Sequence, residues 1–192
     1  FNGYDIYIHA YSSRMMGRSP TIDQLADQMR LGFDHHRILD HQKIIFLCHS
    51  MGGLVTRSYL VKYREQVASK IGFLYFFSTP TSGSDMARIA QLLSRNRQIG
   101  NMLPMEDGYL ANLKSQWLAA GLGNLPSFCG YETLETYGLL IVGFSSANDL
   151  CNRRLDPITA DHLSIVKPAD SNSSSYSAFK SAFLEMDPAP EH

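Results

Sequence analysis

The residues from Ile44 to Val55, Ile-Ile-Phe-Leu-Cys-His-Ser-Met-Gly-Gly-Leu-Val, set a serine where a short apolar run stops and a helix-spaced segment begins. A run such as Lys43 to Leu47 reads as a strand covered on both faces, and Leu54, Ser58, Leu60, Val61 and Tyr63 return to helical spacing. Ser50 therefore sits on a tight strand-to-helix turn. Such a turn brings neighbouring backbone close and asks for small residues two before and two after the serine. Cys48 and Gly52 hold those places; glycine is usual at the first, but cysteine is small, and Gly53 adds room. The turn would lift the hydroxyl out of the end of the sheet, beside the positive end of the following helix, where developing negative charge is favoured. The chemistry is that of an attacking hydroxyl. A phosphate-binding turn is the competing reading, yet neither G-x-G-x-x-G nor G-x-x-x-x-G-K-[ST] is present.

A serine hydroxyl needs a base, and the chain order serine, acid, histidine places that base on a late loop. His162, in Asp161-His162-Leu163-Ser164-Ile165-Val166-Lys167-Pro168, occupies such a loop before a closing helix. His9, His35, His36 and His41 precede the serine, His49 is expected to point to the other side of its strand, and His192 is terminal; all read as structural or solvated. Two acids compete to orient His162. Glu132 follows the short strand Ser127 to Tyr131 and is favoured, because an acid on a strand end is held rigidly. Asp149 is the alternative, nearer in sequence and shorter, although Asn148 and Asn152 also make it a turn residue. Asp156 and Asp161 are weaker candidates. The backbone N–H of Met51 is the expected oxyanion donor.

The elements that must carry these groups alternate. Tyr4 to Tyr11 reads as a strand, and Thr21 with Gln24 forms a capping box for a helix whose Ile22, Leu25, Met29 and Phe33 share one face. After the serine come a helix to about Lys70 and a strand from Ile71 to Phe77. Helices then follow over about 85–98 and 108–120, strands at Ser127 to Tyr131 and Leu139 to Phe144, and a last helix over about 173–185. Strand and helix in alternation imply an α/β fold, with a mostly parallel sheet, right-handed crossovers and helices on both faces.

The 192 residues form a single domain, with no linker or composition shift dividing it. Hydrophobic residues at 44% and charged residues at 18% describe an ordinary globular chain. With 17 basic against 18 acidic residues and no basic run, nucleic acid is not an expected partner, and there is no polybasic membrane patch. Cys48, Cys129 and Cys151 show no zinc spacing, and their odd number points to a reducing, cytoplasmic compartment; Cys129 and Cys151 could pair if the protein is secreted. No apolar run reaches the roughly 18 residues of a spanning helix. No motif calls for a metal or a nicotinamide cofactor, and none is expected.

Five segments in order carry a family likeness: Cys-His-Ser-Met-Gly-Gly-Leu-Val at 48–55, Ser-Thr-Pro-Thr-Ser-Gly-Ser at 78–84, Tyr-Glu-Thr-Leu-Glu-Thr at 131–136, Ser-Ser-Ala at 145–147 and His-Leu-Ser-Ile-Val-Lys-Pro at 162–168. They resemble the lipase-like α/β-hydrolases, and among these the serine-active-site-containing family related to the GPI inositol-deacylases. The likeness runs from about Tyr4 to Phe183. It implies the α/β-hydrolase fold, a triad of Ser50, His162 and an acid matched at Glu132, and action on acyl esters, phospholipids among them, with peripheral contact to membranes. Two departures stand out. Thr81 replaces the histidine that usually follows Thr-Pro, which bears on loop packing. The family's upstream strand and His-Gly loop, which supply an oxyanion donor, have no counterpart here, so the domain is expected to be N-terminally incomplete.

The expected activity is therefore ester hydrolysis through an acyl-enzyme; a thioesterase or peptidase would use the same groups. The alternative from another class is a non-catalytic hydrolase-fold module that binds a lipid or a protein partner. The apolar segment 85–126, with Met86, Leu92, Leu93, Ile99, Met102, Leu103, Leu110, Leu113, Trp117 and Leu118, would either cap an acyl site or pack on the sheet.

Overall fold

The computed structural model describes residues 3–11, 20–95, 108–149 and 151–187. Four strands, β1 (Ile44–His49), β2 (Ile71–Phe77), β3 (Ser127–Glu132) and β4 (Leu155–Ile158), form a parallel sheet in the order β1-β2-β3-β4. Parallel neighbours need crossovers long enough to return the chain to the same edge, and helices supply them. The helices are α1 (Ile22–His35), α2 (Met51–Lys62), α3 (Arg64–Val67), α4 (Gly83–Arg95), α5 (Tyr109–Ala119), α6 (Phe144–Asn148) and α7 (Ser174–Met186).

The central strand β2 explains the two-sided core. Phe73, Tyr75 and Phe77 face one way and pack with Phe128, Ile158 and the α7 residues Ala178, Phe179 and Phe183. Leu74 and Phe76 face the other way, into a larger cluster with Ile22, Leu25 and Phe33 of α1 and Leu54, Val55 and Tyr59 of α2. A strand buried on both faces loses the alternation of polar and apolar residues, which is why β2 reads as an unbroken apolar run. The Thr21–Gln24 capping box opens α1, Gln24 N–H donating to Thr21 Oγ1 at 3.2 Å and Thr21 N–H to Gln24 Oε1 at 2.9 Å. Polar ties then fix α1 on α2, with Ser58 donating to Asp23 at 2.7 Å and Tyr63 to Asp27 at 2.6 Å.

Two expectations about strands fail for physical reasons. Tyr4 to Tyr11 is not in the sheet; Tyr7 sets its ring against Phe33 at 5.7 Å and Tyr4 against Phe183 at 5.1 Å, while Ile6 and Ile8 are 86% and 79% exposed. Alternation alone does not make a strand without a neighbour to pair with. Leu139 to Phe144 is not a strand: residues 140–143 form a loop leading into α6, which Phe144 begins, because the N–H groups of Ile141 and Val142 are taken by a side chain rather than a ladder. The fourth strand is instead Leu155–Ile158, whose Pro157 is tolerated at the edge of the sheet. The helix after Ser50 breaks at Tyr63 and resumes as α3.

Within 85–126, Met86, Leu92, Leu113 and Trp117 are buried in the α1–α2 cluster, and Leu118 is exposed. Ile99, Met102 and Leu103, the Leu93 side chain and the end of the helix beyond Arg95 lie outside the described residues, as does His192.

The odd cysteine count does not prevent a disulfide. Cys129 on β3 is bonded to Cys151 with Cα atoms 5.9 Å apart, and Cys48 is free and buried. The bond closes a loop across a sequence separation of 22. Closing a loop of that length in the unfolded chain contributes about 3 kcal/mol. The Cys129→Ala/Cys151→Ala variant should therefore lose about 3 kcal/mol of unfolding free energy in urea titrations, with an unchanged far-ultraviolet spectrum.

Candidate active site

Three side chains from the C-terminal side of the sheet converge. Ser50 follows β1 directly, with φ 50° and ψ −130°, a left-handed conformation that a serine adopts only under strain. Its N–H donates to Phe77 O at 2.9 Å, so the neighbouring strand holds the turn, and its own carbonyl accepts from Gly53 N–H at 3.0 Å. The close approach falls on Gly53 and not on Gly52. A Cβ at Gly53 would lie 2.1 Å from Thr79 Oγ1, whereas one at Gly52 would meet nothing within 4 Å. Cys48 packs inward and its thiol donates to Thr56 Oγ1 at 3.4 Å; burial pushes its pKa up to about 12, so it stays a neutral thiol.

His162 lies in the loop between β4 and α7, four residues after Ile158, and is 2% exposed. Its Nδ1 is 2.8 Å from Glu132 Oε2, and its Nε2 is 2.9 Å from Ser50 Oγ. Glu132, the last residue of β3, is fully buried. Its other oxygen, Oε1, accepts from Ile141 N–H at 2.6 Å and Val142 N–H at 2.8 Å. Burial alone would raise its pKa, but the hydrogen bond and charge of His162, together with the Val142 N–H, outweigh it and hold the carboxyl below the ordinary glutamate value. An ionised carboxylate only accepts, so Nδ1 carries the imidazole proton and Nε2 is left to accept from the serine hydroxyl.

The remaining acids have other partners. Asp149 accepts from Lys114 at 2.9 Å, Asp156 from Tyr75 at 2.9 Å and Arg154 at 2.7 Å, and Asp161 caps its own turn by accepting from Leu163 N–H at 3.0 Å and Ser164 N–H at 2.8 Å. Met51 is the first residue of α2, where N–H groups have no intrahelical acceptor and face the positive end of the helix. Thr81 joins two loops: its N–H donates to Ser146 Oγ at 2.8 Å and its hydroxyl to Ser146 O at 3.0 Å. Among the described residues, no three His, Cys, Asp or Glu side chains gather in a way that would hold a metal ion.

His49 departs from its expected place. Its ring centre is 5.0 Å from that of His162, and its Nε2 is 2.9 Å from the His162 carbonyl oxygen. Nothing in the local pattern shows this, because the partner is a distant backbone group. Burial, then repulsion from the charge that His162 would carry, lowers the His49 pKa to about 4.

Between the ordinary value of 6.5 and about 4, this imidazole takes a proton in the unfolded chain but not in the folded one. Its contribution to stability is thus lost progressively as the pH falls through that window. His49→Gln removes the titration, and urea unfolding at several pH values between 7 and 4 should show a shallower loss of stability for the variant than for the parent.

The fold is the α/β-hydrolase fold. A hydrolase from Pseudomonas aeruginosa PA01 is similar at a TM-score of 0.50 and 17% identity, over 91% of this chain and 75% of that one. The mature lipase BlEst2 of Bacillus licheniformis is similar at a TM-score of 0.52 and 15% identity, over 86% of this chain and 74% of that one. An extracellular α/β-hydrolase from a Paenibacillus species is similar at 0.51 and 13%, over 88% and 81%. No protein-family model matches the chain, and no curated protein matches it.

Proposed function

We propose that the chain is a serine hydrolase that cleaves acyl esters, with Ser50 as nucleophile, His162 as general base and Glu132 as the acid that orients it. The observation that carries this reading is the unbroken line Ser50 Oγ, His162 Nε2, His162 Nδ1, Glu132 Oε2, with steps of 2.9 and 2.8 Å across the ring. Both outer contacts are within the reach a nucleophile and its base require. His162 takes the serine proton as Oγ attacks the carbonyl carbon. It returns that proton to the leaving alcohol, and then activates the water that releases the acid. Glu132 remains ionised throughout and stabilises the imidazolium. The Met51 N–H donates to the developing oxyanion, which the start of α2 favours electrostatically.

Lipids and other acyl esters are the proposed substrates, and a lipid substrate would bring the protein into peripheral contact with a membrane surface. Thioesters are within the reach of the same groups. The Cys129–Cys151 bond supports an oxidising compartment, since disulfides persist there and are rare in the cytosol.

The test is fluorophosphonate labelling together with turnover of a panel of short and long acyl esters. Ser50→Ala should abolish labelling and lower kcat by about 10⁴-fold or more, with the thermal unfolding midpoint essentially unchanged. Glu132→Gln should also lower kcat severely, whereas Asp149→Asn should leave it within about twofold, as expected of an exposed ion pair. Absence of labelling in the wild type, in the presence of lipid or partner binding, would favour a non-catalytic module.

A further inference from the structure

His162 belongs to a segment without regular secondary structure, where backbone position is not set by a ladder or a helix. Two hydrogen bonds take over that task, one on each side of its Cα. Its N–H donates to Thr136 Oγ1 at 2.9 Å, and its carbonyl oxygen lies 2.9 Å from His49 Nε2. A carbonyl only accepts, so His49 Nε2 carries the proton and donates it. Thr136 is buried, and His49 immediately precedes the residue that bears the attacking hydroxyl.

Resting on the serine-hydrolase reading above, we propose that His49 is a positioning residue for the reaction. Through the His162 carbonyl it ties the base to the turn that carries the nucleophile. The path from Ser50 to His162 through this contact is one peptide unit, one imidazole ring and one hydrogen bond, each of them short and stiff. Without it, that side of the base loop keeps its Asp161 turn and the buried Ile165 but loses its backbone tie to the turn that bears Ser50. A hydroxyl–imidazole contact of 2.9 Å then rests on a backbone with one of its two ties removed, and a misplacement of about 1 Å at such a contact costs on the order of 10²-fold in rate. His49 works best as a neutral donor, because a second positive ring 5.0 Å from His162 would oppose the imidazolium formed during attack. The Thr136 bond holds the same residue from the other side and should act in the same direction.

The experiment compares His49→Phe, which keeps a ring but no donor, with His49→Gln, whose amide nitrogen stands at the same distance along the side chain as Nε2. Both are measured by fluorophosphonate labelling rate, by kcat and KM on one acyl ester, and by thermal unfolding. His49→Phe should label and turn over about 10- to 100-fold more slowly than wild type, with KM changed less than about twofold. His49→Gln should recover to within about fivefold of wild type. Where His49→Phe does not fold, His49→Asn takes its place, being polar but too short to reach the His162 carbonyl, and carries the same expectation. Wild-type rates in the donor-less variant, or equal impairment of the Gln variant and the donor-less one, would overturn the positioning role. Failure of the hydrolase reading is a separate result: the wild type does not label, or Ser50→Ala labels as the wild type does, and the inference falls with it.

Discussion

A carboxylate with no exposed surface has to be neutralised and fully hydrogen-bonded, and the Glu132 side chain organises its surroundings to that end. One oxygen accepts a hydrogen bond from His162 Nδ1, and the other accepts from two backbone N–H groups of a loop nine and ten residues further along. That demand explains why an apolar stretch suited to a sheet becomes a loop. The donors at Ile141 and Val142 are spent on the carboxylate, while their side chains fill the core. It also fixes the imidazole, since an ionised acceptor at Nδ1 permits only one neutral tautomer. Breaking either side of this arrangement would leave a charge buried without a partner.

How much of this could be read from residues differs by kind of interaction. Ser50 was legible because a buried strand running directly into helical spacing leaves one sharp turn, and His162 because the order of groups along the chain restricts where a base can lie. The choice between Glu132 and Asp149 turned on rigidity: the strand-end acid meets the imidazole, and the loop acid meets Lys114. The parallel sheet was legible through the apolar runs of β1, β2 and β3, but β1 is not covered on both faces as its run suggests: it lies at the edge of the sheet, and Leu47 is 54% exposed. β4 was not, because four residues with an aspartate and a proline have no periodicity to detect. Tyr4 to Tyr11 failed in the opposite sense, having the pattern of a strand without a neighbour to pair with. The contact of His49 had no sequence signal, since a backbone carbonyl looks the same at every position.

The glycines of the turn make a finer point. A motif specifies glycine two residues after the serine, yet the steric demand here rests one residue later, at Gly53 against Thr79. Thr79 lies just after β2, so the packing of helix α2 on the adjacent strand end, rather than the turn alone, sets which residue must lack a side chain. The same loop continues to Thr81, whose two bonds to Ser146 secure the start of α4 to α6. Thr81 thus makes a tie between loops without a titratable group.

The parallel order of the strands has a consequence for how the molecule comes together. Ser50 and His162 are separated by 112 positions in sequence, and Glu132 stands 30 before the histidine, yet each contact needs its strand docked in register on the next. Such non-local closure is slow, because the entropy of joining distant segments is spent before their contacts repay it. β2 has to pair on both sides before β1 and β3 stand at their final spacing, and β4 has to join β3 before the histidine loop can reach the serine. The assembled Ser50–His162–Glu132 geometry is therefore among the last features acquired during folding, and a half-assembled sheet would leave the Ser50 hydroxyl without its imidazole partner. On the proposed reading, a nascent chain would in this way be kept from acting on substrates until its core is closed.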